Sequence, residues 1–185
     1  DIKPEAETMK WKEKISKAVR EADGILVNSA TTASDLQQFF PESTEKIFLT
    51  RLGIDHFYRA NKTPAAHGEH ILAVGTVEPR KNYQMLFKAY AEPLSINNYL
   101  PPLIIAGGMG YRSDEICEAA EKSPAGDRVK FAGYISDSRL KELYSKACCL
   151  VHPAIYEGFG FTVPEALGFG LPVVCSKNSS LAELF

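Results

Sequence analysis

A chain of 185 residues with 45% apolar side chains, 21 Lys+Arg against 23 Asp+Glu and a formal charge of −2 can bury the core of one domain, or of one domain with part of another. Such a composition excludes disorder, collagen and coiled coil, and the interleaved acids and bases leave no basic footprint for nucleic acid. No run approaches the ~20 consecutive apolar residues of a membrane span, and Asp1-Ile2-Lys3-Pro4 has no charged-then-apolar signal pattern.

The first part of the chain predicts a mixed-charge helix over Ala6–Ala22, with Trp11, Ile15, Ala18, Val19 and Ala22 at helical spacing. A strand at Ile25–Val27, a helix at Thr32–Phe40 and a strand at Lys46–Thr50 follow. Two α/β units are too few for a domain, so residues 1–56 read as the tail of one that begins earlier. Phe57–Glu69 carries Asn61, Pro64, Ala65, Ala66 and Gly68 without an apolar period and reads as a linker.

From residue 70 to 185 short apolar runs alternate with helical patterns. Strands are expected at Ile71–Val74, Leu103–Ala106, Val129–Ala132, Cys149–Val151 and Pro172–Cys175. Helices are expected at Asn82–Glu92, Ser113–Lys122, Asp137–Ala147 and Thr162–Phe169; the third of these has Leu140, Leu143, Tyr144 and Ala147 at i, i+3, i+4 and i+7. Runs of this length suit strands buried on both faces, so the fold class is α/β with a doubly wound parallel sheet. The right-handed crossover puts all strand C-termini on one edge, where such sheets bind ligands. Ser180-Leu-Ala-Glu183 is a capping-box pattern announcing a further helix, and the chain reads as the middle of a larger protein. Cys117, Cys148, Cys149 and Cys175 lack metal or disulfide spacing and read as buried thiols of a cytosolic protein.

Three loops at the ligand edge carry the chemistry. In Tyr156-Glu-Gly-Phe-Gly-Phe-Thr-Val-Pro-Glu165, Gly158 and Gly160 let a ligand approach the main chain, and Thr162 is placed to cap the helix it opens, whose N–H groups favour an anion. Glu165 falls where a capping-box glutamate sits, so a structural and a functional role both stand open for it; Glu157 is an acid in a glycine-rich turn. In Gly75-Thr-Val-Glu-Pro-Arg-Lys-Asn82, Arg80 and Lys81 precede a helix that Asn82 is placed to cap. A planar fork and a point charge together suit a diphosphate, the alternative being a solvated Arg80–Glu78 pair. Gly107-Gly-Met-Gly110 matches neither the dinucleotide fingerprint nor the Walker pattern. Gly133-Tyr134-Ile135-Ser-Asp137 either lines a base pocket or is a plain turn. His152 reads as structural, His56, His67 and His70 lie in or beside the linker, and no spacing suggests a metal.

The run Glu157-Gly-Phe-Gly-Phe-Thr-Val-Pro-Glu165-Ala-Leu-Gly-Phe-Gly-Leu-Pro-Val-Val, with seven residues between its glutamates, resembles the signature of the group 1 retaining glycosyltransferases. Gly75–Asn82 looks like the family's donor-phosphate loop, Ser179-Ser-Leu-Ala-Glu183 like its post-signature helix start, and residues 23–55 are similar to the stretch leading out of its acceptor domain. The resemblance implies a GT-B architecture of two Rossmann-like domains, here the acceptor-side tail (1–56), the linker (57–69) and an incomplete nucleotide-sugar domain (70–185). It implies that Arg80 and Lys81 hold the diphosphate, with Gly75 and Thr76 beside it. Glu165 would take the ribose hydroxyls and Glu157 the donor sugar near the reacting carbon. Gly158, Phe159 and Gly160 would face sugar and phosphates. Many members carry an arginine directly after the glycine of the first strand, where this chain has Thr76.

The implied reaction is transfer of a sugar from a GDP- or UDP-linked donor to an acceptor hydroxyl, retaining configuration and needing no divalent metal or other cofactor, in polysaccharide or glycoconjugate biosynthesis. The implied partners are the nucleotide sugar and a saccharide or lipid-linked acceptor held by the other domain, in the cytoplasm or at the cytoplasmic membrane face; nucleic acid is not expected. A mannosyl transferase is one form of this reading. A nucleotide-sugar binding module without catalysis and a GT-B epimerase or phosphorylase are the alternatives, and the 185 residues alone are expected to be inactive.

Overall fold

The computed structural model describes residues 4–54, 68–94 and 100–184. The predicted linker, apart from Gly68 and Glu69, lies outside the described residues. The chain divides into two compact units, one taking residues up to Gly53 with Tyr156–Gly160 and Lys177 onward, the other Ile54–Ile155 and Phe161–Ser176.

In the first unit α1 (Glu5–Glu21), β1 (Ile25–Val27), α2 (Ala30–Phe39) and β2 (Ile47–Leu49) follow in order, with a 3-10 helix over Pro41–Lys46. Strands β1 and β2 pair in parallel, Ile25 opposite Ile47. The alternation along β1 buries Val27 and exposes Leu26. Of the apolar stripe on α1, Val19 is buried, whereas Trp11 and Ile15 are exposed. The C-terminus of α1 is closed by a cation: the Lys46 ammonium donates to the Ala22 carbonyl at 2.8 Å, where the helix dipole favours positive charge. Helix α2 starts two residues earlier than its pattern indicated, because Ser29 caps it by accepting from the Thr32 N–H at 3.1 Å.

The second unit contains β3 (His70–Val74), α3 (Tyr83–Leu94), β4 (Leu103–Ala106), α4 (Ser113–Glu121), β5 (Val129–Gly133), α5 (Asp137–Lys146), β6 (Ala147–His152), α6 (Thr162–Gly168) and β7 (Val173–Cys175). All five strands are parallel, in the order β5-β4-β3-β6-β7. The winding reverses between β3 and β6, the point at which doubly wound sheets bind ligands beyond the strand C-termini. One sheet face, through Ala73, Leu103 and Ile105, packs against Leu86, Phe87 and Tyr90 of α3 and Ile116 and Ala120 of α4. The right-handed crossover puts α5 and α6 on the opposite face, where Leu72 and Leu150 pair in register with no exposed surface. Full burial of each such leucine is worth about 1.5–3 kcal/mol, which explains why the strands read as continuous apolar runs.

Several local expectations change. His70 belongs to the sheet: it is the first residue of β3 and is buried, and desolvation holds its imidazole below the ordinary value despite the nearby Glu69. Strand β6 is longer than Cys149–Val151 because Ala147, the last residue of the predicted α5 pattern, already pairs as strand with His70, and the register shifts past Cys148 before Cys149 pairs with Ile71. The four cysteines are free thiols, as expected, but half-buried rather than buried. Ser180–Glu183 opens no α-helix and forms a 3-10 turn, Ser179–Glu183. Residues 156–160 and 177 onward group with the first unit, held by hydrogen bonds described below.

Candidate functional site

Three loops of the second unit interlock at the C-terminal edge of its sheet. The β3 strand runs into Gly75, whose N–H donates to the Ala106 carbonyl at 2.9 Å, and β4 runs into Gly107, whose N–H donates to the Gly133 carbonyl at 2.9 Å. Gly75 has φ of +145°, and a Cβ there would stand 2.7 Å from the Lys81 Nζ; one on Gly107 would stand 2.1 Å from the Gly75 carbonyl oxygen. Only glycine fits these two positions. Beyond them Val77 donates to the Gly108 carbonyl at 2.9 Å and accepts from the Gly110 N–H at 3.1 Å, tying the β3 and β4 loops together.

The Pro79–Lys81 turn sits where the winding reverses. Its Arg80 carbonyl accepts from the Ile155 N–H at 2.8 Å, and the Asn82 amide donates to the Pro153 carbonyl at 3.2 Å, so the loops after β3 and β6 form one body. Asn82, expected to cap α3 with its side chain, instead takes a left-handed backbone with φ of 58° and spends its amide on Pro153. The Tyr83 hydroxyl donates to the Gly75 carbonyl at 3.0 Å, locking α3 to the strand end. Lys81 is 8% exposed, folded beneath Gly75. The Arg80 guanidinium donates twice to Glu78, at 2.7 and 3.0 Å, which is the local pair that the sequence left open. Thr76 is exposed, Tyr134 is 91% exposed and Ile135 half-buried at the end of β5.

Glu165 lies on α6, buried at 8% exposure. Its carboxylate accepts from the Tyr144 hydroxyl at 2.9 Å, and the capping box with Thr162 at its head is absent because Phe161 is the N-cap of α6. Burial and the neighbouring Glu165 charge push the Tyr144 phenol well above its usual value, keeping it a donor. The Thr162 hydroxyl instead bonds His152 Nδ1 at 3.0 Å. Tyr144 carries no sequence mark of this contact, since its helical spacing shows only that it faces the core.

In the first unit, Tyr156–Gly160 is gripped from two sides. The Tyr156 hydroxyl donates to Asp35 of α2, and burial with that hydrogen bond raises its pKa to about 12. The Glu157 N–H donates to Ser179 Oγ at 2.9 Å, and Ser180 Oγ donates to the Glu157 carbonyl at 2.8 Å. Gly160, with φ of +82°, has Leu181 against it, 2.5 Å from where a Cβ would stand. Glu183 then reaches the N-terminus of α2: its carboxylate accepts from the Ala30 and Thr31 N–H groups at 2.8 Å each and from the Thr31 hydroxyl at 2.7 Å. The residue read as the end of a capping box thus caps a helix 152 and 153 residues away in sequence, at Thr31 and Ala30.

The predicted site residues fall in two groups. Gly75, Thr76, Arg80, Lys81, Tyr134, Ile135 and Glu165 belong to the second unit, and Glu157, Gly158, Phe159 and Gly160 to the first. Among the described residues no group of three or more His, Cys, Asp or Glu side chains is arranged to hold a metal, and no helix is long and apolar enough to cross a membrane.

The family model for glycosyl transferases group 1 matches residues 56–185. An O-antigen chain mannosyltransferase B from Escherichia coli is 32% identical over 171 residues, 86% of this chain and 45% of that protein. A glycogen synthase from Mycobacterium tuberculosis is 27% identical over 167 residues, 89% of this chain and 40% of that protein. Among solved structures, Anabaena Alr3699/HepE in complex with UDP and glucose matches with a TM-score of 0.75 at 22% identity, over 91% of this chain and 48% of that one. The chain thus spans less than half the length of these relatives, and its doubly wound sheet has the fold of GT-B glycosyltransferases.

Proposed function

The chain belongs to the group 1 glycosyl transferases, and from that membership we propose that the whole protein transfers a sugar from a nucleoside-diphosphate donor to an acceptor hydroxyl with retention of configuration, in polysaccharide or glycoconjugate biosynthesis. Lys81 and Arg80 hold the diphosphate, with Gly75 and Thr76 beside it. Glu165 takes the ribose hydroxyls, Tyr134 and Ile135 the base, and Glu157 with the Gly158-Phe159-Gly160 main chain the sugar. Breaking the bond from the anomeric carbon to the diphosphate places negative charge on the leaving group and positive charge on the ring, so fixed cations and a nearby carboxylate lower the barrier. The observation that carries this reading is the ammonium of Lys81, withdrawn beneath Gly75 at the strand-order reversal, where doubly wound sheets bind their ligands.

The Arg80–Glu78 pair divides the work unequally. Because Glu78 already holds the Arg80 guanidinium, a diphosphate at Arg80 competes with that carboxylate. In titration calorimetry of the whole protein with UDP and GDP, Lys81→Ala is expected to weaken binding at least ~10-fold, about 1.4 kcal/mol, and Arg80→Ala less. Unchanged affinity in Lys81→Ala would overturn the phosphate assignment. Leaving-group stabilisation by side chains predicts turnover that survives chelation of divalent metals. A mannosyl donor is favoured by the 32% identity to a mannosyltransferase; stronger thermal stabilisation by UDP sugars than by GDP-mannose would argue against it. We place the reaction in the cytoplasm, with a lipid-linked acceptor meeting it at the membrane face.

A further inference from the structure

The signature glutamate is held by its main chain. Both peptide groups flanking the Glu157 Cα are engaged by consecutive serines, the N–H by Ser179 Oγ and the carbonyl by Ser180 Oγ. Ser180 is 1% exposed, and Ser179 takes a left-handed backbone, φ 44°, a conformation that costs a serine energy. The turn that carries them is itself anchored, since Glu183 at its far end accepts three hydrogen bonds at the start of α2. On the other flank Tyr156 is tied to Asp35 of that same helix. None of these groups is assigned to donor or acceptor by the resemblance or by the proposed reading.

We propose that Ser179 and Ser180 are positioning residues for Glu157, fixing the backbone from which its carboxylate reaches the reacting sugar, with Glu183 and Asp35 anchoring that grip on α2. The inference rests on the proposed role of Glu157 in transfer. A strained serine is a costly way to make a turn that glycine would make freely, and the structure shows what the hydroxyl does there: it accepts the Glu157 N–H. Reacting groups must be held to a fraction of an ångström, and misplacement by about 1 Å costs roughly 100-fold in rate.

Ser179→Gly separates positioning from folding, because glycine relieves the positive φ while removing the hydroxyl. In the whole protein this variant is expected to keep or raise its melting temperature and to exchange the Glu157 amide hydrogen at least ~10-fold faster. It should also lose at least ~10-fold in kcat, with the donor KM within about threefold of wild type. In a Glu157→Gln background the same change should cost nothing further in kcat, since a group that acts only through Glu157 has nothing left to place. A Ser179→Gly protein with kcat within about twofold of wild type, or with an unchanged Glu157 amide, overturns the proposal while leaving the transfer reading intact. An additive loss in the double variant also overturns it, showing a general structural effect. Wild-type kcat in Glu157→Gln alone would instead remove Glu157 from the reaction, and the positioning role with it.

Discussion

Glu183 provides the sharpest stability test, because its carboxylate makes three measurable contacts and nothing local requires it. Glu183→Ala removes the acceptor of two backbone N–H groups and one hydroxyl at the N-terminus of α2. A lost N-cap costs about 0.5–2 kcal/mol and a lost anion at the helix dipole about 0.3–1 kcal/mol. Ser29 still caps the Thr32 N–H and water reaches part of the site, so the expected cost is about 2 kcal/mol, with Glu183→Gln at about 1 kcal/mol. Burial pushes the Glu183 carboxyl upward, but the hydrogen bonds from Thr31 and Ala30, together with the Arg51 charge, outweigh it and hold the pKa below the usual range. A depressed folded value gives stability that is complete above the unfolded value, ~4.3, and disappears as pH falls through the folded one. Urea denaturation of wild type and Glu183→Gln from pH 7 to pH 3 should therefore show a gap that closes on acidification. A gap that stays constant across that range, or no gap at pH 7, would refute the capping argument.

Gly107→Ala is expected to destabilise the second unit by about 2 kcal/mol or more, since its Cβ meets the Gly75 carbonyl, whereas Gly108→Ala, with nothing within 4 Å, should stay within about 0.5 kcal/mol of wild type; denaturation midpoints decide between them. Tyr144→Phe should cost about 1.5–3 kcal/mol, because it removes the hydroxyl that donates to the buried Glu165 carboxylate, and equal stability of the two proteins would show that another donor replaces it. If Glu165 holds the ribose, the same variant should also weaken nucleoside diphosphate binding in calorimetry more than binding of inorganic pyrophosphate.

The sheet was legible because its strands obey a rule that leaves a trace in sequence. Leu103–Ala106 stands where its apolar run predicts, because a parallel strand buried on both faces has to be apolar throughout; Ile25–Val27 also stands where its run predicts, although Leu26 is exposed. The caps were illegible for the opposite reason. Asn82, Thr162, Glu165, Ser180 and Glu183 each occupy a position from which a side chain can close its own helix, yet their recorded bonds go to Pro153, His152, Tyr144, Glu157 and Ala30 with Thr31. A side-chain oxygen gains about as much from a remote N–H as from a near one, so local spacing does not reveal which it serves. The Arg80–Glu78 pair lay between these cases: proximity in sequence made it visible, and the structure selected it.

Gly75 and Gly107 have one more consequence. Because the two strand ends touch through bare backbone, the lip of the sheet there is built of peptide groups, which are chemically alike whatever the residue. A wall of that kind recognises what all members of a ligand class share and has no means of telling one member from another. If this edge holds the proposed donor, discrimination rests on the neighbours that do carry side chains there, Thr76 and Tyr134 with Ile135. On the proposed reading, altering which sugar nucleotide is preferred is a matter of changing those few positions, because Gly75 and Gly107 are not free to vary.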